Sequence, residues 1–155
     1  MVAYTTWSVF AVFYHNVVCA NADEVVQLAE LPLKNKRLRK RLYKEVMETG
    51  SMQYESVIGR SLFNYVVSLA ALTDYYRNLM CAYNGTKFET ECNEHLTYLR
   101  SSNESVFLKD LRNYMVHKGV PSMGVMIGEG NIADEPYQVL LYTSDLVNYG
   151  GWTTR

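Results

Sequence analysis

Arg112, Asn113 and His117 are the residues whose types and spacing are best suited to chemistry. They stand in the stretch Leu111-Arg112-Asn113-Tyr114-Met115-Val116-His117-Lys118-Gly119-Val120-Pro121, and no other Arg is followed by a His four to six residues later. An Arg guanidinium can hold a phosphate and stabilise charge on it, while a His can give or take a proton near neutral pH. Together they suit metal-independent cleavage of RNA, in which the ribose 2′-hydroxyl attacks its own phosphodiester. No cofactor is called for, and no metal site is evident. The competing reading is structural: an Arg on a solvated face and a His at a helix end.

A helix must position these groups. Ser101-Ser102-Asn103-Glu104 has the spacing of a capping box, and Gly119 and Pro121 end the helix that it opens. At about 100° per residue, Phe107, Leu108, Leu111, Tyr114 and Met115 form a core stripe. Asp110, Asn113 and His117 share another side, and Arg112 lies about 140° from His117. A regular helix would therefore not bring Arg112 and His117 together. Either the last turn distorts near Gly119, or two chains each supply a motif to a shared cleft.

The segment Phe107 to Pro121 resembles the motif helix of the HEPN superfamily, whose signature is Arg-x4-6-His with a polar residue, often Asn, after the Arg. Asn64-Tyr65-Val66-Val67-Ser68, with Asp74 and Arg77, resembles the long helix of bacterial HEPN-like proteins, and the likeness covers about residues 36 to 121. The resemblance implies an up-and-down antiparallel helical bundle acting as an endoribonuclease in a bacterial toxin-antitoxin or anti-phage defence system. It implies a homodimer with two motifs lining one cleft, an antitoxin or defence-system partner protein, catalysis by Arg112 and His117, and assistance from Asn113. Asn64, Ser68 and Asp110 are candidate supporting residues. One HEPN toxin branch carries a modifiable Tyr two residues after the His. Gly119 stands there in this chain, which excludes that form of regulation.

The chain of 155 residues suits one domain, with 48% hydrophobic and 20% charged residues. A net charge of −1 offers no global attraction for nucleic acid, so any must come from a local patch. Lys34 to Lys44 supplies one: Leu38, Leu42 and Val46 recur at four-residue intervals beneath a basic face. Lys36, Arg37, Arg39 and Lys40, with Lys118 beyond the motif, are the candidate RNA contacts. Without a catalytic site, the same face fits a helical module that binds RNA or a partner protein. Cys19, Cys81 and Cys92 have no metal-ligand spacing and read as thiols of a reducing compartment. The apolar run Trp7 to Ala22 lacks a preceding Lys or Arg and is interrupted by Tyr14-His15-Asn16. It reads as a packed helix of a cytoplasmic protein without membrane contact, so the sequons at Asn84 and Asn103 are discounted.

The remaining elements are set by periodicity and breakers. A helix is expected over Thr6 to Ala20, a new start at Asn21-Ala22-Asp23-Glu24, and an end at Pro32. Gly50-Ser51 breaks the basic helix. A long helix runs from about Gln53 to Tyr83, with Ile58, Leu62, Val66, Leu69, Thr73, Tyr76, Met80 and Tyr83 as its buried stripe. Asp74 and Arg77 should pair on its surface. Asn84-Gly85 turns the chain into a helix over Lys87 to Leu99, where His95 reads as a core residue. Met123 to Ile127 and Tyr137 to Tyr142 should form a β-hairpin around a long loop. One helical turn is expected at Asp145 to Tyr149, then a frayed tail. Residues 1–121 would form the mainly α bundle and residues 122–155 a hairpin appendage and tail of the same domain.

Overall fold

A computed structural model describes residues 2–50, 53–127 and 137–152. The fold is mainly α with a small two-stranded antiparallel sheet. Helix α1 (Val2–Phe13) passes through a π-helical segment (Tyr14–Cys19) into α2 (Ala20–Lys34), so one unbroken helical rod occupies the N-terminal part. The chain continues through α3 (Lys36–Thr49), α4 (Gln53–Cys81), α5 (Lys87–Arg100), α6 (Asn103–Lys118), β1 (Met123–Ile127), β2 (Tyr137–Leu141) and α7 (Thr143–Val147).

Helix α4 is the axis of the fold, packed by the rod, α6 and β1. The rod runs opposite to it: Phe10 meets Tyr76, Phe13 meets Tyr75, Asn21 donates to the Asn64 carbonyl and Leu28 meets Tyr54. By length and composition α4 is also apolar enough to cross a membrane, a test that the core helix of a soluble protein passes equally. Val66, Leu111, Tyr114, Met115 and Leu146 form the main core, with Leu62, Phe63 and Leu108 against it. Gly59 faces Val120, whose Cγ1 would lie 2.7 Å from a Cβ added there. The chain just past the end of α6 thus packs against the first turns of α4.

The expected break at residues 21–24 does not occur: Cys19 and Ala20 both keep helical backbone angles and the rod continues. Nor does Pro32 end it; Pro32 is buried inside α2. A helical Pro has no N–H for the carbonyl four residues earlier, which here is Leu28. The Tyr54 hydroxyl donates to that carbonyl at 2.7 Å. A group from α4 thereby replaces the lost backbone bond, and burial raises the Tyr54 pKa.

Helix α3 starts where the Asn35 side chain accepts from the Leu38 N–H at 3.0 Å. It ends at Gly50, whose φ of 70° is the left-handed conformation that closes a helix. Thr86 opens α5, its hydroxyl accepting from the Glu89 N–H at 3.2 Å while the Glu89 carboxylate accepts from the Gly85 N–H at 2.7 Å. Ser102 caps α6, accepting from the Ser105 N–H at 3.2 Å. The cap therefore sits one residue later than the Ser101–Glu104 spacing suggests, with Ser105 rather than Glu104 in the third position.

The hairpin pairs Met123 with Leu141 through Ile127 with Tyr137, and residues 128–136 of its loop lie outside the described residues. Val139 packs on Leu38 and Leu42 of α3, and Tyr54 joins the same cluster. Of the tail expected to fray after Gly151, Trp152 is packed, and residues 153–155 lie outside the described residues. Trp152 stacks on Phe107 at 6.0 Å, meets Tyr149 edge-on, and donates its indole N–H to the Leu146 carbonyl. The indole, with its one donor satisfied, thus packs Trp152 against α6.

Candidate functional site

The motif helix presents its residues at three depths. Leu111, Tyr114 and Met115 are buried, Arg112 and Asn113 are half-buried, and His117 and Lys118 are exposed in the last turn. Helix α6 is regular to Lys118, and the Gly119 N–H still donates to the Met115 carbonyl at 3.2 Å. A distorted last turn is therefore not how Arg112 and His117 approach each other.

Asn113 narrows the gap instead. Its Oδ1 accepts from Arg112 Nη1 at 3.1 Å. Asn113 lies four residues before His117, about 40° away on the same flank of an ideal helix. The amide thus draws the guanidinium across the outer face toward the flank that His117 occupies. Arg112 Nε is buried, and no acceptor among the described residues meets it. A guanidinium with an acceptor-fixed orientation on a half-buried residue is suited to binding an anion through its remaining terminal N–H groups.

The supporting residues separate. Asp110 is 2% exposed, so it belongs to the interior of α6 rather than to the open flank expected from its angular position. Ser68 is buried too, and its hydroxyl donates to the Tyr65 carbonyl of its own helix at 2.8 Å. Asn64 is exposed and uses its backbone carbonyl to receive Asn21. Neither of these two bonds reaches Arg112 or His117. Asp74 and Arg77 form the expected surface ion pair at 2.9 Å. The His95 side chain lies outside the described residues.

The basic helix also divides. Lys36, Arg37 and Lys40 are exposed, but Arg39 is 7% exposed and faces inward. Arg39, Leu42 and Val46 keep a three-then-four spacing, so the inward stripe is wider than Leu38-Leu42-Val46 alone and takes Arg39 with it. Arg39 is therefore corrected from an RNA contact to an interior residue. Arg41 and Lys44, both exposed, extend the outer face in its place. The spacing alone leaves Arg39 beside the stripe; its burial follows from the layer that covers the stripe.

Cys19, Cys81 and Cys92 are free thiols. At the π-helical segment the Tyr14 pKa is raised, first by a hydrogen bond with the Cys19 side chain. Among the described residues no three His, Cys, Asp or Glu side chains converge as a metal site would require.

The architecture thus defines a mainly α helical domain carrying a small hairpin, with an Arg–Asn pair and an exposed His on one helix. No family model matches the chain, and neither the curated proteins nor the solved structures searched show a match.

Proposed function

We propose that this chain is a metal-independent endoribonuclease of the HEPN type, with its active site shared across a homodimer and a role in a bacterial toxin-antitoxin or anti-phage defence system. The observation that supports it is the Arg112–Asn113 hydrogen bond, which turns the guanidinium toward the His117 flank of a surface helix. In this reading the 2′-hydroxyl gives its proton to one imidazole as its oxygen bonds to phosphorus. The bond from phosphorus to the 5′-oxygen breaks, and a second imidazole protonates the leaving oxygen. The products are a 2′,3′-cyclic phosphate and a 5′-hydroxyl, with atoms and protons in balance. Arg112 stabilises the charge on the phosphoryl oxygens. One exposed His cannot serve as base and acid in the same step, and a second copy of the chain supplies the other. The remaining partners in this reading are RNA and an antitoxin or defence-system protein, in the cytoplasm and away from membranes.

The test is cleavage of RNA by purified protein in EDTA, beside Arg112→Ala and His117→Ala variants. Activity confined to the unsubstituted protein supports the reading; equal cleavage by all three, or none by any, overturns it. The regular helix between Arg112 and His117 favours a second reading, a non-catalytic helical module that binds RNA or a partner protein. That reading expects salt-sensitive RNA binding without turnover.

A further inference from the structure

The outer face of α3 is the densest positive patch among the described residues. Lys36, Lys40 and Lys44 form one row and Arg37 and Arg41 another, all exposed. Members of a row are four residues apart, about 6 Å along the axis. Lys44 also meets Glu48 at 3.5 Å in an exposed pair, which an arriving phosphate displaces at little cost. No acidic partner among the described residues holds Arg37, Lys40 or Arg41.

Two further observations connect this face to the motif helix. The inward stripe of α3, Leu38 and Leu42, is packed by Val139 of β2, and Val139 pairs with Val125 of β1. Strand β1 begins at Met123, six residues after His117, and six residues of extended chain span at most about 20 Å. The hairpin thus touches α3 through Val139 and is joined to the end of α6 by a short segment. Leu38, Leu42 and the buried Arg39 occupy the inner side of α3, which leaves the remaining cations on the outward face of a regular helix.

We infer that the outer face of α3 is a backbone-gripping subsite for a single RNA strand, engaging phosphates that flank the cleavage point without reading bases. The choice of RNA rests on the proposed activity; the grip itself is a binding property and can be measured apart from cleavage. Long side chains on an open helix face offer charge but no pocket for a base edge, so the recognition is by charge and independent of sequence. The grip and His117 stand on different helices, so the grip engages only substrates long enough to span both. A dinucleotide can occupy the motif alone, whereas a strand of some twenty nucleotides reaches both.

The experiment compares a dye-labelled 20-nucleotide single-stranded RNA with its all-deoxy counterpart, which lacks the attacking 2′-hydroxyl and reports binding alone. Fluorescence anisotropy is read for the unsubstituted protein, for His117→Ala and for Lys36→Gln/Arg37→Gln/Lys40→Gln/Arg41→Gln. The first two should bind the all-deoxy strand equally. Four phosphate contacts on a single strand give a salt slope of about −3, so raising salt from about 50 to about 200 mM weakens binding by roughly 50-fold. The quadruple variant should lose most of that slope and bind weakly at low salt. Against cleavable RNA its KM should rise at unchanged kcat for the 20-nucleotide substrate, with no change for a dinucleotide.

Circular dichroism checks that the variant folds. If it does not, Lys40→Gln/Arg41→Gln is read against Lys40→Arg, which should bind normally. Absence of salt-sensitive binding by the unsubstituted protein overturns the grip, as does equal binding by the neutralised variant. Binding as expected with no cleavage by any protein overturns the catalytic reading and leaves the grip standing. Loss of cleavage in His117→Ala with no effect of the α3 changes does the reverse.

Discussion

Arg112 Nη1 donates to Asn113 Oδ1 at 3.1 Å, a hydrogen bond between neighbours in sequence that point to different flanks of α6. Adjacent residues on a helix diverge by about 100°, so this bond forms only because the Arg chain is long enough to fold back over the outer face. The guanidinium consequently has a fixed heading, one helical turn before His117.

That heading is what Asn113→Ala should remove. Cleavage of RNA should fall by about 10- to 100-fold, as expected when a phosphate-holding group drifts by an ångström or so. The melting temperature should stay close to that of the unsubstituted protein, because Asn113 is only half-buried. Asn113→Asp keeps an acceptor but adds a negative charge that competes with phosphate for Arg112, so it should not restore activity. Unchanged cleavage by Asn113→Ala would remove the positioning role.

Pro32 and Tyr54 make a second relationship that can be measured. Tyr54→Phe leaves the Leu28 carbonyl without its donor, and the loss should be about 1–2 kcal/mol. Pro32→Ala restores an N–H that can serve the same carbonyl. In that background Tyr54→Phe should cost about 1 kcal/mol less, as a double-mutant cycle from urea unfolding will read. Additive effects of the two changes would separate the hydroxyl from the proline.

Gly59→Ala sets two effects against each other. Ala is the better helix former by about 1 kcal/mol. Its methyl, however, would lie 2.7 Å from Val120 Cγ1, and a short branched side chain has little room to yield. The clash should win, with a net loss of about 1–2 kcal/mol. Val120→Ala in the same protein should relieve it and convert the change into a small gain. A stabilising Gly59→Ala alone would show that the segment after α6 moves freely.

Glu55 carries a pH dependence. Burial raises its pKa above the usual carboxylate value. The stability associated with its proton is therefore fully present below the unfolded pKa and is lost as pH rises through the folded one. Glu55→Gln should be the more stable protein at pH 7, by less than about 1 kcal/mol, and the difference should vanish near pH 3. Urea midpoints at the two pH values check this; a variant less stable at pH 7 would reverse the sign.

Local chemistry made much of this fold legible. The strands Met123–Ile127 and Tyr137–Leu141, the 29-residue α4 and the stop at Gly50 all arise from patterning and turn residues acting within a few positions. The final helical turn was also visible, although it begins at Thr143 rather than Asp145. The Arg112–His117 motif and its angular gap could be read from the helix period alone.

What the sequence could not disclose depends on groups distant along the chain. Pro32 reads as a stop until Tyr54, from another helix, supplies the missing hydrogen bond. Arg39 reads as one more surface cation until Val139 and its neighbours cover the stripe beside it. Asp110 looks like a flank residue and is interior, and Trp152 looks like a loose end and is packed. Periodicity assigns a residue to a side of its own helix; only packing decides whether that side meets water, because the covering surface comes from elsewhere in the chain.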